Sequence, residues 1–142
     1  VHIYSDGSIS ISTGAVEMGQ GVNTKMLQVA AQTFSVDPCK IKINTTNTAR
    51  IANTSPSAAS ATADLNGKAT WMACTEILKR LKKVAAKELL ATVDTIELRN
   101  ETVWVNGVAT KLTWEKLVML AFIQRVSLSE HAHYATPEVH FD

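Results

Sequence analysis

From Pro56 to about Leu90 nothing interrupts a helical pattern. Leu65, Ala69, Met72, Ile77, Leu81 and Val84 recur on one face, opposite Lys79, Arg80, Lys82, Lys83 and Lys87. Only Gly67 weakens the run, by about 1 kcal/mol against alanine. A single helix here extends roughly 50 Å at its 1.5 Å rise. It cannot bury its own apolar stripe, so the rest of a 142-residue chain has to be laid along it. With 46% hydrophobic and 19% charged residues, the sequence can build one core, and it fits neither a disordered tail nor a coiled coil.

The remaining patterns are shorter. Val1 and Ile3, then Ile9 and Ile11, alternate around Asp6-Gly7 and predict a β-hairpin. Met26, Leu27, Val29, Ala30 and Phe34 have helical spacing within 22–34, and Asp37-Pro38 ends that run. Ile41 and Ile43 predict a short strand. Residues 44–66 are then mostly Asn, Thr, Ser and Ala. Ile96 and Leu98, then Val103 and Val105, read as strands flanking Asn100, with a further turn at Asn106-Gly107. Thr113 is placed to cap a helix carrying Leu117, Val118, Leu120 and Ala121, and residues 125–142 read as irregular. The expected fold is α+β in two layers, a mixed or antiparallel sheet of hairpins against two main helices and a smaller third.

Charge points to no partner: 14 Lys and Arg against 13 Asp and Glu leave a net +1, too little to attract nucleic acid or anionic lipid at range. The basic face from Lys79 to Lys87 therefore reads as solvated. Cys39 and Cys74 have neither zinc-knuckle nor disulfide-framework spacing, which suits a reducing, cytoplasmic setting, and both read as small buried or partly buried side chains. His131-x-His133 has no third ligand nearby in sequence. The longest apolar runs, such as 118–123, fall far short of the roughly 20 residues that span a bilayer. A start at Val1, without Met and directly in a strand, suggests a piece of a longer polypeptide.

Two segments can carry chemistry. Glu17-Met18-Gly19-Gln20-Gly21 joins the hairpin to the first helix. Its glycines let the backbone turn sharply near a ligand, and the helix start that follows can offer N–H groups to an anion. By spacing alone they more often serve in a connection that only satisfies φ angles. The second segment, residues 55–63, places Ser55 as a cap, Pro56 at a helix start and then only small residues. A bulky ligand can lie on that bare backbone, with Ser57, Ser60 and Thr62 as donors, or a neighbouring helix can pack there instead.

Taken together, these segments resemble the molybdenum-binding region of the xanthine dehydrogenase and aldehyde oxidase family. The resemblance is carried by Glu17-Met18-Gly19-Gln20-Gly21, Asn23-Thr24-Lys25-Met26, Asn53-Thr54-Ser55-Pro56-Ser57-Ala58-Ala59-Ser60 and Asp64-Leu65-Asn66-Gly67. It continues through Arg125-Val126-Ser127-Leu128-Ser129 and Tyr134-Ala135-Thr136-Pro137, and is weakest over 87–115. Ala15-Val16 stands where the family pattern has Gly-Thr, and Ser57 where Thr is common. The resemblance implies that residues 1–142 form part of the molybdopterin-binding domain of a larger chain. Met18, Gly19 and Gln20 would lie along the pterin. Ser57, Ala58, Ala59, Ser60 and Thr62 would surround its phosphate-bearing arm and the metal, with no protein side chain on the metal itself.

Within the family the resemblance is nearer xanthine dehydrogenase than aldehyde oxidase. It implies hydroxylation of a purine such as xanthine or hypoxanthine with oxygen from water, the alternative substrate being an aldehyde or other heterocycle. Electrons would leave through iron-sulfur clusters and FAD in the complete, oligomeric enzyme. The family's glutamate base sits in a Gly-Glu-Pro motif expected beyond Asp142, so no catalytic residue is assigned here and Glu17 belongs to the turn. The isolated chain is expected to be inactive, with remaining lobes or subunits completing the site and neither nucleic acid nor membrane as partner. The competing reading is a non-catalytic assembly module. The two part on whether Gln20 and Ala59 share one face.

Overall fold

The computed structural model describes residues 1–44, 46–51 and 54–138. Among these residues two small sheets and two shorter α-helices are arranged around the long helix, α2, which runs Ala59–Glu88 over 30 residues. Before it come β1 (His2–Ile3), β2 (Ile9–Ser12), α1 (Val22–Phe34) and β3 (Ile41–Asn44). β1 and β2 are antiparallel, whereas β2 and β3 are parallel, pairing Ile9 with Ile41 and Ile11 with Ile43. A parallel neighbour needs a crossover, and α1 provides it. After α2 come β4 (Ile96–Arg99), β5 (Thr102–Val105), β6 (Val108–Thr113) and α3 (Trp114–Ile123), with β4-β5-β6 as an antiparallel meander.

The α+β class is as expected, but the strands divide between two sheets, one on either side of α2 in sequence. Both turns of the meander are two-residue connections with positive φ throughout: Asn100 and Glu101 at 47° and 60°, Asn106 and Gly107 at 51° and 76°. Such turns match the twist of antiparallel strands. β6 escapes the sequence pattern because Leu112 is its only buried residue and a register shift interrupts its pairing with β5. The tail is also less irregular than expected. Ile3 N–H donates to Leu128 O at 2.8 Å and Glu130 N–H to Val1 O at 2.9 Å, so residues 128–130 lie along β1. Arg80, expected in solvent, fastens this segment by donating to Ser127 O at 2.8 Å and pairing with Glu130.

The helix α2 buries a different stripe from the one hydropathy suggests. Thr62, Thr70, Ala73, Cys74, Ile77, Leu81, Val84, Ala85 and Ala86 face inward, while Leu65 and Trp71 are exposed. The C-terminal half is apolar as read. In the N-terminal half the inward positions are polar, one residue displaced from Leu65, Ala69 and Met72. The helix also begins later than Pro56: Ser55 is not its cap, and Ala58 is, with an extended backbone.

One main cluster holds buried residues from both sheets and all three helices, and Trp114 is its largest fully buried side chain. Its indole N–H donates to Gly7 O at 2.8 Å, its ring centroid lies 5.4 Å from that of Phe34, and its backbone N–H donates to Glu101 O at 2.8 Å. The first hairpin, α1 and the meander therefore meet on one residue. Gly7 has φ 87°, and a Cβ there would lie 3.0 Å from the indole. Trp114→Ala should cost about 3–5 kcal/mol in denaturant unfolding. Gly7→Ala should cost about 1–2 kcal/mol from left-handed backbone strain, before any displacement of the ring is counted.

Candidate functional site

The site is built where β2 runs out of partners. Ile9, Ile11, Thr13 and Ala15 alternate inward, and at Thr13 the apolar series becomes a hydroxyl. Thr13 Oγ1 donates to Asn66 Oδ1 of α2 at 2.7 Å and accepts from Ala15 N–H at 3.2 Å. Thr46 Oγ1 lies 2.9 Å from Thr13 O and 2.8 Å from Ala15 O. Gly14 lies so near residue 54 that an added Cβ would be 2.9 Å from Thr54 Oγ1. Residues 13–15 are thus held on every side before the chain reaches the turn.

The turn is closed by its own side chains. Gln20 Nε2 donates to Val16 O at 2.7 Å, and Gln20 Oε1 accepts from Met18 N–H at 2.6 Å. Glu17 bends back over the start of α1, accepting from Gly19 N–H at 2.8 Å, Gly21 N–H at 3.0 Å and Asn23 N–H at 3.0 Å. The N-cap of α1 is Gly21, which has no side chain to offer, so Glu17 caps the helix from outside. The backbone N–H groups of Asn23 and Gly21, aided by Gly19 and Val22, hold its carboxyl below the usual carboxylate range. This corrects the expectation that α1 offers N–H groups to an external anion, because the protein's own carboxylate already occupies that position.

The helix α2 begins differently. Ser57 Oγ accepts from Val16 N–H at 2.9 Å, which keeps its own proton available for another acceptor. Thr62 is buried, and its Oγ1 accepts from Ala58 N–H at 2.8 Å, so that hydroxyl serves the helix start from within. Ala59 has φ 46°, a left-handed conformation costly for a residue with a Cβ. Ser60 is exposed and its hydroxyl has no partner among the described residues. No acidic residue lies in the first turn.

The two segments therefore converge: Gln20 bonds Val16 and Val16 bonds Ser57. Met18, Gly19, Gln20, Ala58, Ala59 and Ser60 are exposed, Ser57 is half-buried, and Thr62 lies beneath them. Asn53 of the sequence motif is outside the described residues. Thr13, Gly14 and Thr46 went unread in the sequence, and Asn66 was read without a role. The one signal for them was the hydroxyl breaking the inward isoleucine series of β2.

Comparison with known proteins settles the family. The model of the molybdopterin cofactor-binding domain matches residues 1–142. The chain belongs to this family. Mouse (Mus musculus) xanthine dehydrogenase/oxidase is 41% identical over 139 residues, 98% of this chain and 9% of that protein. Aldehyde oxidase 2 of Cavia porcellus is 40% identical over 134 residues, 94% of this chain and 8% of that protein. The chain thus spans under a tenth of the length of these relatives. Among solved structures, CO dehydrogenase from Oligotropha carboxidovorans shares the fold, with TM-score 0.82 and 22% identity over 96% of this chain and 18% of its own.

The chemistry of the groups along this edge fits the family's ligand. The second amide proton of Gln20 and the hydroxyls of Ser57 and Ser60 match a heteroaromatic, phosphate-bearing ligand. The first turn of α2, with no acid of its own, favours an anion. Gly19, at φ 99°, has nothing within 4 Å of the position a Cβ would take, which leaves space beside the turn.

Outside the domain's site, Cys74 is buried and desolvation pushes its thiol up to about 12, so it stays protonated. Cys39, expected to be at least partly buried, is exposed. No helix among the described residues is long and apolar enough to cross a membrane.

Glu17 gives a pH test. A depressed carboxylate pKa contributes stability above the unfolded value, about 4.3, and loses it as pH falls through the folded one. Glu17→Ala should lower Tm at neutral pH. The gap from wild type should narrow between roughly pH 5 and pH 3, read by thermal denaturation across that range.

Proposed function

We propose that residues 1–142 are part of the molybdopterin-binding domain of a larger, oligomeric molybdenum hydroxylase that oxidises purines, xanthine or hypoxanthine, with oxygen from water. The observation that carries this reading is the 2.9 Å bond from Val16 N–H to Ser57 Oγ, which sets the Gln20 turn beside the open amino end of α2. Gln20, held by its bonds to Val16 and Met18, presents its remaining amide proton and lone pair to the pterin edge. Met18 and Gly19 line the same edge. Ser57 and Ser60 donate to the phosphate-bearing arm, and the backbone N–H groups after Ala58 meet its negative charge. Ala58 and Ala59 leave room for the metal and its ligands, and Thr62 keeps the helix start in shape from beneath.

The cofactor, when bound, supplies the hydroxylating and electron-accepting chemistry. In the complete enzyme, iron-sulfur clusters and FAD would supply the onward electron-accepting chemistry. Glu17 is unsuited to be the base, since its carboxylate is engaged by three backbone N–H groups. The family's glutamate base belongs to a Gly-Glu-Pro motif that these 142 residues do not contain, and this reading expects the chain by itself to be inactive. The two cysteines, both free, suit a reducing, cytoplasmic setting. An aldehyde oxidase is the second reading, supported by the 40% identity to the Cavia porcellus protein, nearly equal to the 41% to the mouse one.

In the full-length protein, molybdenum content and xanthine oxidation test the proposal. Gln20→Ala should weaken cofactor retention about tenfold, the equivalent of one lost hydrogen bond. Ala59→Leu should largely abolish loading by filling the space meant for the ligand. Full loading in both variants would favour an assembly module. Faster turnover of an aromatic aldehyde than of xanthine would favour the second reading.

A further inference from the structure

We propose that Asn66, through its bond with Thr13, is the positioning residue that sets the spacing of the two cofactor walls; this rests on the cofactor reading above. Asn66 sits one helical turn beyond Thr62, on the inward stripe of α2. Its Nδ2 donates to Thr62 O at 2.9 Å, and its Oδ1 accepts from Thr13 at 2.7 Å. The amide orientation follows from chemistry, because the Thr62 carbonyl can only accept and so has to face the nitrogen.

Each side of Asn66 leads to a different wall. Through Thr13 the bonds run to Ala15 and Thr46, then along the chain to Val16, whose N–H meets Ser57 and whose carbonyl holds Gln20. Through Thr62 they run to the N–H of Ala58, where α2 begins. An apolar contact at this place lets a strand and a helix slide by fractions of an ångström. A hydroxyl-to-amide bond has direction and length, and an unpaired buried partner is penalised. Valine in place of Thr13 would continue the inward series of Ile9 and Ile11. The hydroxyl there gives up apolar burial and fixes register instead.

The test uses the purified full-length holoenzyme and reads molybdenum and pterin per protomer, with the rate of pterin loss on dilution. Thr13→Val keeps the shape and deletes the donor. Asn66→Asp keeps the acceptor for Thr13 and replaces the donor facing Thr62 O. Thr13→Ser restores the donor. The expected result is about tenfold faster pterin loss in Thr13→Val and Asn66→Asp, with Thr13→Ser near wild type. Wild-type retention in Thr13→Val, or equal loss in Thr13→Ser and Thr13→Val, would overturn the inference. A misfolded Asn66→Asp leaves the Thr13 pair to decide. If Gln20→Ala and Ala59→Leu load fully, the cofactor reading itself fails; if they lose cofactor while Thr13→Val does not, only the positioning role fails.

Discussion

Along α2 the buried stripe changes chemistry between Thr70 and Ala73. On the C-terminal side Ala73, Cys74, Ile77, Leu81 and Val84 lie in the core that gathers both sheets and Trp114. On the N-terminal side Thr62, Asn66 and Thr70 face inward and find hydrogen-bond partners in Ala58, Thr13 and Met26. The first half of that division resists unfolding through burial, which is large but indifferent to small displacements. The second half contributes less to burial and more to geometry, because directional bonds resist sliding. A single rigid helix thus joins a stabilising end to a shaped end.

The same division governs the two helix starts near the turn. Each helix leaves unpaired N–H groups at its amino end and an attraction for negative charge. At α1 that demand is met by Glu17, and the turn 17–21 becomes a closed unit whose conformation needs nothing from outside. At α2 the hydroxyl of Thr62 meets the N–H of Ala58, and the residues that open the helix, Ala59 and Ser60, are exposed beside Ser57. Filling one start and leaving the other open gives a preformed edge next to an anion-attracting end. The left-handed Ala59 stands at the boundary, strained in the way backbone often is where a ligand has to be accommodated.

Much of this was legible from residue order. The apolar spacing within 22–34 gave α1 with its observed bounds, Val22–Phe34. The Asn106-Gly107 pair marked a hairpin turn because both positions need positive φ. The site segments were recognisable as motifs, and their convergence followed from the family they resemble. What escaped was of another kind. The strand β6 carries too little apolar alternation to stand out, since it is an edge strand with one buried side chain. The inward face of the N-terminal half of α2 was misread because hydropathy cannot distinguish a polar residue in solvent from one buried against a polar partner. Glu17 was visible as an acid in a turn, but its role as a cap depends on the chain folding back over Gly19 and Gly21.

The sequence by itself determined the long helix, the class of fold and the two segments that carry chemistry, because periodicity and the small, glycine-rich composition act locally and need no distant partner. Only the tertiary structure decided that Thr13 meets Asn66, that Val16 meets Ser57 and that Arg80 clasps the tail. Those bonds join positions 41 to 53 residues apart, and no pattern along the chain encodes which polar group faces which until the core has brought them together.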